Sequence, residues 1–155
     1  MTLLESNRSK INWINLSANP SAVYLLEKEP KKIDWTFLST NTNAIHLLET
    51  NQNKINWRWL SSNSEAIELI EQRVKREKYL LSRKSQAHMI LKPTINKIDW
   101  SWLSTNSSAM HLLIDNPDKI DWRWLSKNPY AIELLEANKE KIDWENLFEN
   151  PAIFI

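Results

Sequence analysis

Apolar residues in this chain return on a 22-residue cycle. Residues 97–118 read KIDWSWLSTNSSAMHLLIDNPD and residues 119–140 read KIDWRWLSKNPYAIELLEANKE. The shared pattern is K-I-[DN]-W-x-x-L-S-x-N-P-x-A-I-x-L-L-E-x-N-x-x. Self-similarity at roughly 20 to 50 residues marks a stacked repeat architecture, so it governs every other reading. Full units occupy residues 10–31, 32–53, 97–118 and 119–140, and residues 54–74 form a unit one residue short. Residues 1–9 match the end of a unit, and residues 141–155 match the start of one. Residues 75–96 align less well. Leu81-Ser82, Ala87 and Ile90-Leu91 fall in register, but Arg76, Lys78 and Lys84 stand where Ile, Trp and Asn belong. They read as a degenerate fourth repeat in a single domain of about seven units.

Within a unit the pattern predicts two short helices. Asn12, Asp34, Asp99, Asp121 and Asp143 are placed as N-caps, each accepting an orphan N–H of the first turn. The flanking pairs Ile11/Leu16, Ile33/Leu38, Ile98/Leu103, Ile120/Leu125 and Ile142/Leu147 have staple spacing. Asn19-Pro20 and Asn128-Pro129 start the second helix with a cap and a proline at N1, where the missing N–H costs nothing. Ala131, Ile132, Leu134 and Leu135 then give that helix an apolar face. Helices this short do not survive alone in water, so each must stack on its neighbours. The expected fold is all-α, an α-solenoid of short helical hairpins. A leucine-rich repeat shares the period but needs strand alternation, which A-I-x-L-L-E does not have. From Ser64 to Leu91 there is neither Pro nor Gly, so the second helix of the third unit is expected to run on through Gln72 and Lys78.

Composition narrows the chemistry. There is no Cys, which excludes disulfides and thiolate ligands. There is no Gly in 155 residues, so Gly-rich phosphate loops and nucleophile elbows are absent. Any left-handed turn must then fall to Asn or Asp. No apolar run reaches membrane-spanning length, and the N-terminus lacks a signal-peptide core, so an intracellular, non-secreted protein is expected. The net charge of +1 gives no global pull toward nucleic acid.

The repeat Trp-x-x-Leu-Ser-x-Asn-Pro with Ala-Ile-x-Leu-Leu-Glu resembles uncharacterised repeat proteins of giant DNA viruses of mimivirus-like lineages. The likeness spans nearly the whole chain, apart from residues 75–96 and the C-terminal unit. It implies a viral repeat scaffold, in the host cytoplasm or in the virion, and no particular activity.

Two groups of residues escape the repeat logic. Trp13, Trp35, Trp57, Trp100, Trp122 and Trp144 lie three before the recurring Leu and read as core. Trp59, Trp102 and Trp124 lie two residues further, about 200° around the helix. Asn15, Phe37, Leu80 and Asn146 occupy the same place, so the fold does not demand Trp there. With Arg58, Arg123 and Tyr130 they are candidates for a partner-binding strip, Trp and Arg being enriched at hot spots. The structural alternative packs them between neighbouring hairpins. The second group is basic: Arg73, Lys75, Arg76, Lys78, Arg83, Lys84 and Lys92 face only Glu77. Residues 73–92 therefore carry +6, while the remaining 13 basic and 18 acidic residues sum to −5. The patch suits phosphate or an acidic partner, or is a solvated helical face.

No catalytic constellation emerges, and neither cofactor nor metal is expected. His46 and His111 share a repeat position but sit in different units, too far apart for one metal. The reading is a non-enzymatic scaffold with a protein partner. The alternatives are a structural component of a viral particle and a nucleic-acid binder acting through residues 73–92. The apolar ends, Leu3-Leu4 and residues 151–155, offer a head-to-tail contact, unless the latter fold back as a plug.

Overall fold

The computed structural model describes residues 4–82 and 97–154. Among these residues the chain is all-α, with no strand. The first helices of the units are α1 (Trp13–Ser17), α3 (Trp35–Leu38), α5 (Trp57–Leu60), α7 (Trp100–Thr105), α9 (Trp122–Leu125) and α11 (Trp144–Leu147). The second helices are α2 (Val23–Lys28), α4 (Ile45–Thr50), α6 (Ile67–Ser82), α8 (Met110–Ile114) and α10 (Ile132–Glu136). The expected caps form in every first helix. Asp34, for instance, accepts from Phe37 N at 3.1 Å, and Asn12 from Asn15 N at 3.1 Å. The second helices open differently from expectation: a 3-10 turn such as Pro20–Ala22 or Ser107–Ala109 precedes several of them, capped by Asn19 or Asn106.

The core is a line of residues contributed once per unit. Leu38, Leu60, Leu103 and Leu125 are fully buried, as are Leu26, Leu48, Ile70 and Leu113. Beside them runs a polar spine. Ser17, Ser39, Ser61, Ser104 and Ser126 are each fully buried. Each hydroxyl donates to the Trp carbonyl four residues back, at 2.7–2.8 Å. Each also accepts the cap residue's N–H from the following unit at 2.9–3.1 Å. A second ladder runs in the same direction, from donors in the later unit to acceptors in the earlier one. Asn41 Nδ2 donates to Ser17 O and Asn19 O at 2.9 and 3.0 Å, and Asn150 Nδ2 donates to Ser126 O and Asn128 O at 3.0 and 2.8 Å. Among the described residues no buried side-chain nitrogen or oxygen lacks a partner. A polar spine is affordable only under that condition, because an unpaired buried amide costs about 1–3 kcal/mol.

The ladder also joins residues 54–74 to residues 97–118, which are not consecutive in sequence. Asp99 N donates to Ser61 Oγ at 2.9 Å, and Asn106 Nδ2 donates to Ser61 O and Asn63 O at 3.1 and 3.2 Å. Residues 97–118 therefore sit directly on residues 54–74. Of the expected fourth repeat, residues 75–82 belong to α6 and residues 83–96 lie outside the described residues.

Helices end here without glycine and without a left-handed residue. No described residue has positive φ, so the expected use of Asn or Asp in left-handed turns does not occur. Instead Glu29, Asn51, Asn116 and Asn138 stop the second helices at φ of −130 to −138° and ψ of 43 to 61°. Asn51, Asn116 and Asn138 fold their Nδ2 back onto the carbonyl four residues earlier, at 2.7–2.9 Å. In the third unit Arg73 holds this position and cannot make that bond, and α6 continues to Ser82. The expected run-on through Gln72 and Lys78 is what forms.

Candidate functional site

The second class of Trp forms one continuous row. Phe37 and Trp59 have ring centroids 6.1 Å apart, Trp59 and Trp102 5.7 Å, and Trp102 and Trp124 6.5 Å. These residues are 36–40 % exposed, so neighbouring hairpins cover them in part and leave an edge open to solvent. Each arises from the same place on a four- to six-residue first helix, where the cap Asp or Asn fixes the start and so the direction of the side chain. Stacking these units brings successive rings into contact, which is worth about 0.5–1.5 kcal/mol per pair beyond area burial. Faces are turned toward neighbours, with interplanar angles of 28°, 42° and 16°. The exposed part is consequently a ridge made largely of ring edges.

Polar residues flank the ridge with their hydrogen bonds already used. Thr40, Ser62 and Thr105 donate to the carbonyls of Phe37, Trp59 and Trp102 at 2.7–3.0 Å. Arg58 Nε reaches Asp99 Oδ2 at 3.1 Å, bridging two units, and Ser101 Oγ donates to Asp121 Oδ2 at 2.6 Å in the equivalent place. Arg123, at the equivalent place, acts on Asp143 through its charge and forms no ion pair with it among the described residues. The Asp143 carboxyl lies below the ordinary carboxylate range, first because Asn146 donates its backbone and side-chain N–H at 3.0 and 2.9 Å, and then through the Arg123 charge. Lys127 lies 5.4 Å from the Trp124 ring and pairs with Glu149 at 2.7 Å. Tyr130 is 72 % exposed and makes no ring contact with the row. Of the strip residues, then, the structure gathers Arg58, Trp59, Trp102, Arg123 and Trp124 along one line, adds Phe37, and leaves Tyr130 apart.

The first class of Trp takes the expected core role incompletely: Trp13, Trp35, Trp100 and Trp122 pack against the core without being enclosed by it. Only Trp57 is buried; Trp13, Trp35, Trp100 and Trp122 are half-buried, and Trp144 is exposed. At two joints the Lys that opens a unit lies over the Trp of the unit before it: Lys54 is 4.4 Å from the Trp35 centroid and Lys141 is 4.7 Å from that of Trp122. The recurrence of Lys at the first repeat position was the available signal. A cation over an aromatic face replaces full burial with a contact open to water.

The basic block is less available than its charge suggests. Arg73 is tied to Glu77 at 2.8 Å and lies 5.0 Å from the Trp57 centroid, and Lys75 pairs with Glu71 at 3.3 Å. Glu71 also accepts His111 Nε2 at 2.8 Å, and His111 followed by Lys75 holds its carboxyl below the ordinary value. Arg76 and Lys78 are exposed, with no acidic partner among the described residues. Arg83, Lys84 and Lys92 lie outside the described residues. His46 and His111 each bond a Glu of the preceding unit, Glu27 and Glu71, at 2.8 Å. Among the described residues no helix is long and apolar enough to cross a membrane. Comparison with protein-family models, curated proteins and solved structures returns no match.

Proposed function

We propose that this chain is a non-enzymatic repeat scaffold of α-solenoid type that binds a protein partner along the Phe37–Trp59–Trp102–Trp124 ridge. The observation carrying this reading is a continuous, partly exposed aromatic row at a repeat position that Asn15 and Asn146 fill in other units. Folding does not require Trp there, and exposed contiguous apolar surface is a liability unless something covers it. Partly exposed aromatic rings with flanking Arg suit a protein surface, Trp and Arg being enriched at hot spots. Replacing all three Trp with Asn copies the residue that other units already use. Crosslinked complexes recovered with the wild-type chain are expected to vanish with this triple variant while far-UV circular dichroism stays helical. Recovery of the same complexes with the variant overturns the reading.

A second reading, a structural part of a larger assembly such as a viral particle, draws on the seventh unit. Phe148 stands where the other stacked units place the buried Ser, so the unit offers no ladder acceptor to a following one. Phe148 and Phe154 are 68 % and 75 % exposed, and Trp144, 59 % exposed, lines a groove of about 420 Å³ together with Ile132, Leu135, Ile142, Leu147 and Ile153. Sedimentation of wild type against Phe148→Ser tests it: concentration-dependent association lost on substitution supports an assembly role, and a monomer throughout removes it.

A further inference from the structure

The third unit carries a second site that the ridge does not explain. Where Asn51, Asn116 and Asn138 stop their helices, Arg73 lets α6 run on. The extra turn carries Gln72, Arg73 and Arg76 past the Trp57 side chain and against Gln52 and Asn53 of the preceding unit. Between them lies a cleft of about 410 Å³, floored by Trp57 and Leu69. That volume is within the range of small-molecule sites, about 300–1,000 Å³.

The lining is rich in hydrogen-bond donors and contains no carboxylate. Arg73 commits its Nε to Glu77 at 2.8 Å, which offsets one of the two guanidinium charges and leaves the Nη groups uncommitted. Arg76 has no partner among the described residues, and the side-chain amides of Gln52, Asn53 and Gln72 make no hydrogen bond there either. Covering Trp57 is a sufficient structural reason for Arg73. It does not account for Arg76, one turn on along the same face and lining the same cleft as Gln52, Asn53 and Gln72. Guanidinium forks match the two oxygens of a carboxylate or phosphate, and the amides add further donors to the same anion.

We propose that this cleft binds the oxyanion of a small ligand, a phosphate or a carboxylate. Titration calorimetry on the full chain in chloride buffer, with inorganic phosphate, pyrophosphate and citrate as separate probes, distinguishes the two chemistries. One of the three is expected to bind with 1:1 stoichiometry. Arg76→Gln should weaken that affinity by about tenfold or more, the scale of one lost charge-assisted hydrogen bond. Lys31→Gln, outside the cleft and exposed, should leave it unchanged. Because Arg76 is exposed and unpaired, its variant is expected to fold, which circular dichroism checks. The proposal is overturned if no probe binds at millimolar concentration, if Arg76→Gln binds as tightly as wild type, or if both variants weaken binding equally.

Discussion

Two joints in this array make the same hydrogen bonds across very different lengths of chain. Between residues 32–53 and 54–74, Asn63 reaches Ser39 O and Asn41 O at 3.1 and 3.2 Å, and Asn56 N reaches Ser39 Oγ at 3.0 Å. Between residues 54–74 and 97–118, Asn106 reaches Ser61 O and Asn63 O at 3.1 and 3.2 Å, and Asp99 N reaches Ser61 Oγ at 2.9 Å. The sequence separations are 24, 22 and 17 in the first case and 45, 43 and 38 in the second, longer by 21 throughout. Side-chain ladders, and not covalent continuity, therefore decide which units touch. Loop-closure entropy grows only logarithmically, so doubling the connection costs about 0.6 kcal/mol. One lost rung costs more than that.

The largest test strikes the rung at the interrupted joint. Asn106→Ala strands two buried carbonyls and removes the cap on Ser108 N, and is expected to lower stability by about 3 kcal/mol in denaturant titration. Cap loss alone accounts for about 1 kcal/mol of this. Asn19→Ala isolates that share, because Asn19 is exposed and caps Ser21 N; about 1 kcal/mol is expected. Equal losses at the two positions would mean that the cross-unit bonds contribute nothing.

Ser61→Ala removes the acceptor of Asp99 N and is expected to cost about 2 kcal/mol, matching Ser39→Ala at the uninterrupted joint. A much smaller effect of Ser61→Ala would show the interrupted joint to be the weaker one. Deleting residues 75–95 restores the 22-residue spacing, and the shortened chain is expected to stay folded within about 1 kcal/mol of wild type. Unfolding on deletion would mean that the segment supports the stack. The smallest effect concerns Asp143. Its carboxyl is depressed in the folded chain, so its contribution is present above the unfolded value of 3.8 and is lost as pH falls through the folded one. Asp143→Asn should flatten the acid side of the stability profile, measured by melting temperature from neutral pH down to pH 3 or about that. An acid limb as steep as wild type would assign it to other carboxylates.

Local chemistry was legible in the residues because it depends on neighbours a few positions away. The caps at Asn12, Asp34, Asp99, Asp121 and Asp143, the Leu core and the run-on of α6 all follow from spacing and helix-end hydrogen bonding. The aromatic position was legible as a repeat column, but its joining into one ridge was not. Ring contact between Trp59 and Trp102 requires residues 54–74 and 97–118 to be adjacent, which alignment on the period places two units apart. The core role of the first Trp class was legible, but the Lys54 and Lys141 contacts over Trp35 and Trp122 were not, because they act across joints, where periodicity within a unit carries no information. The donor-lined cleft of the third unit is likewise assembled from Gln52–Asn53 and α6, twenty residues apart in sequence.

The sequence by itself determined the 22-residue unit, its two helices, its caps and its all-α character, since each rests on short-range sterics and hydrogen bonding. Only the tertiary structure decided which units meet and what each joint covers. A buried Ser or Asn pairs with whichever unit satisfies it, and that choice is a matter of global free energy that no local pattern encodes.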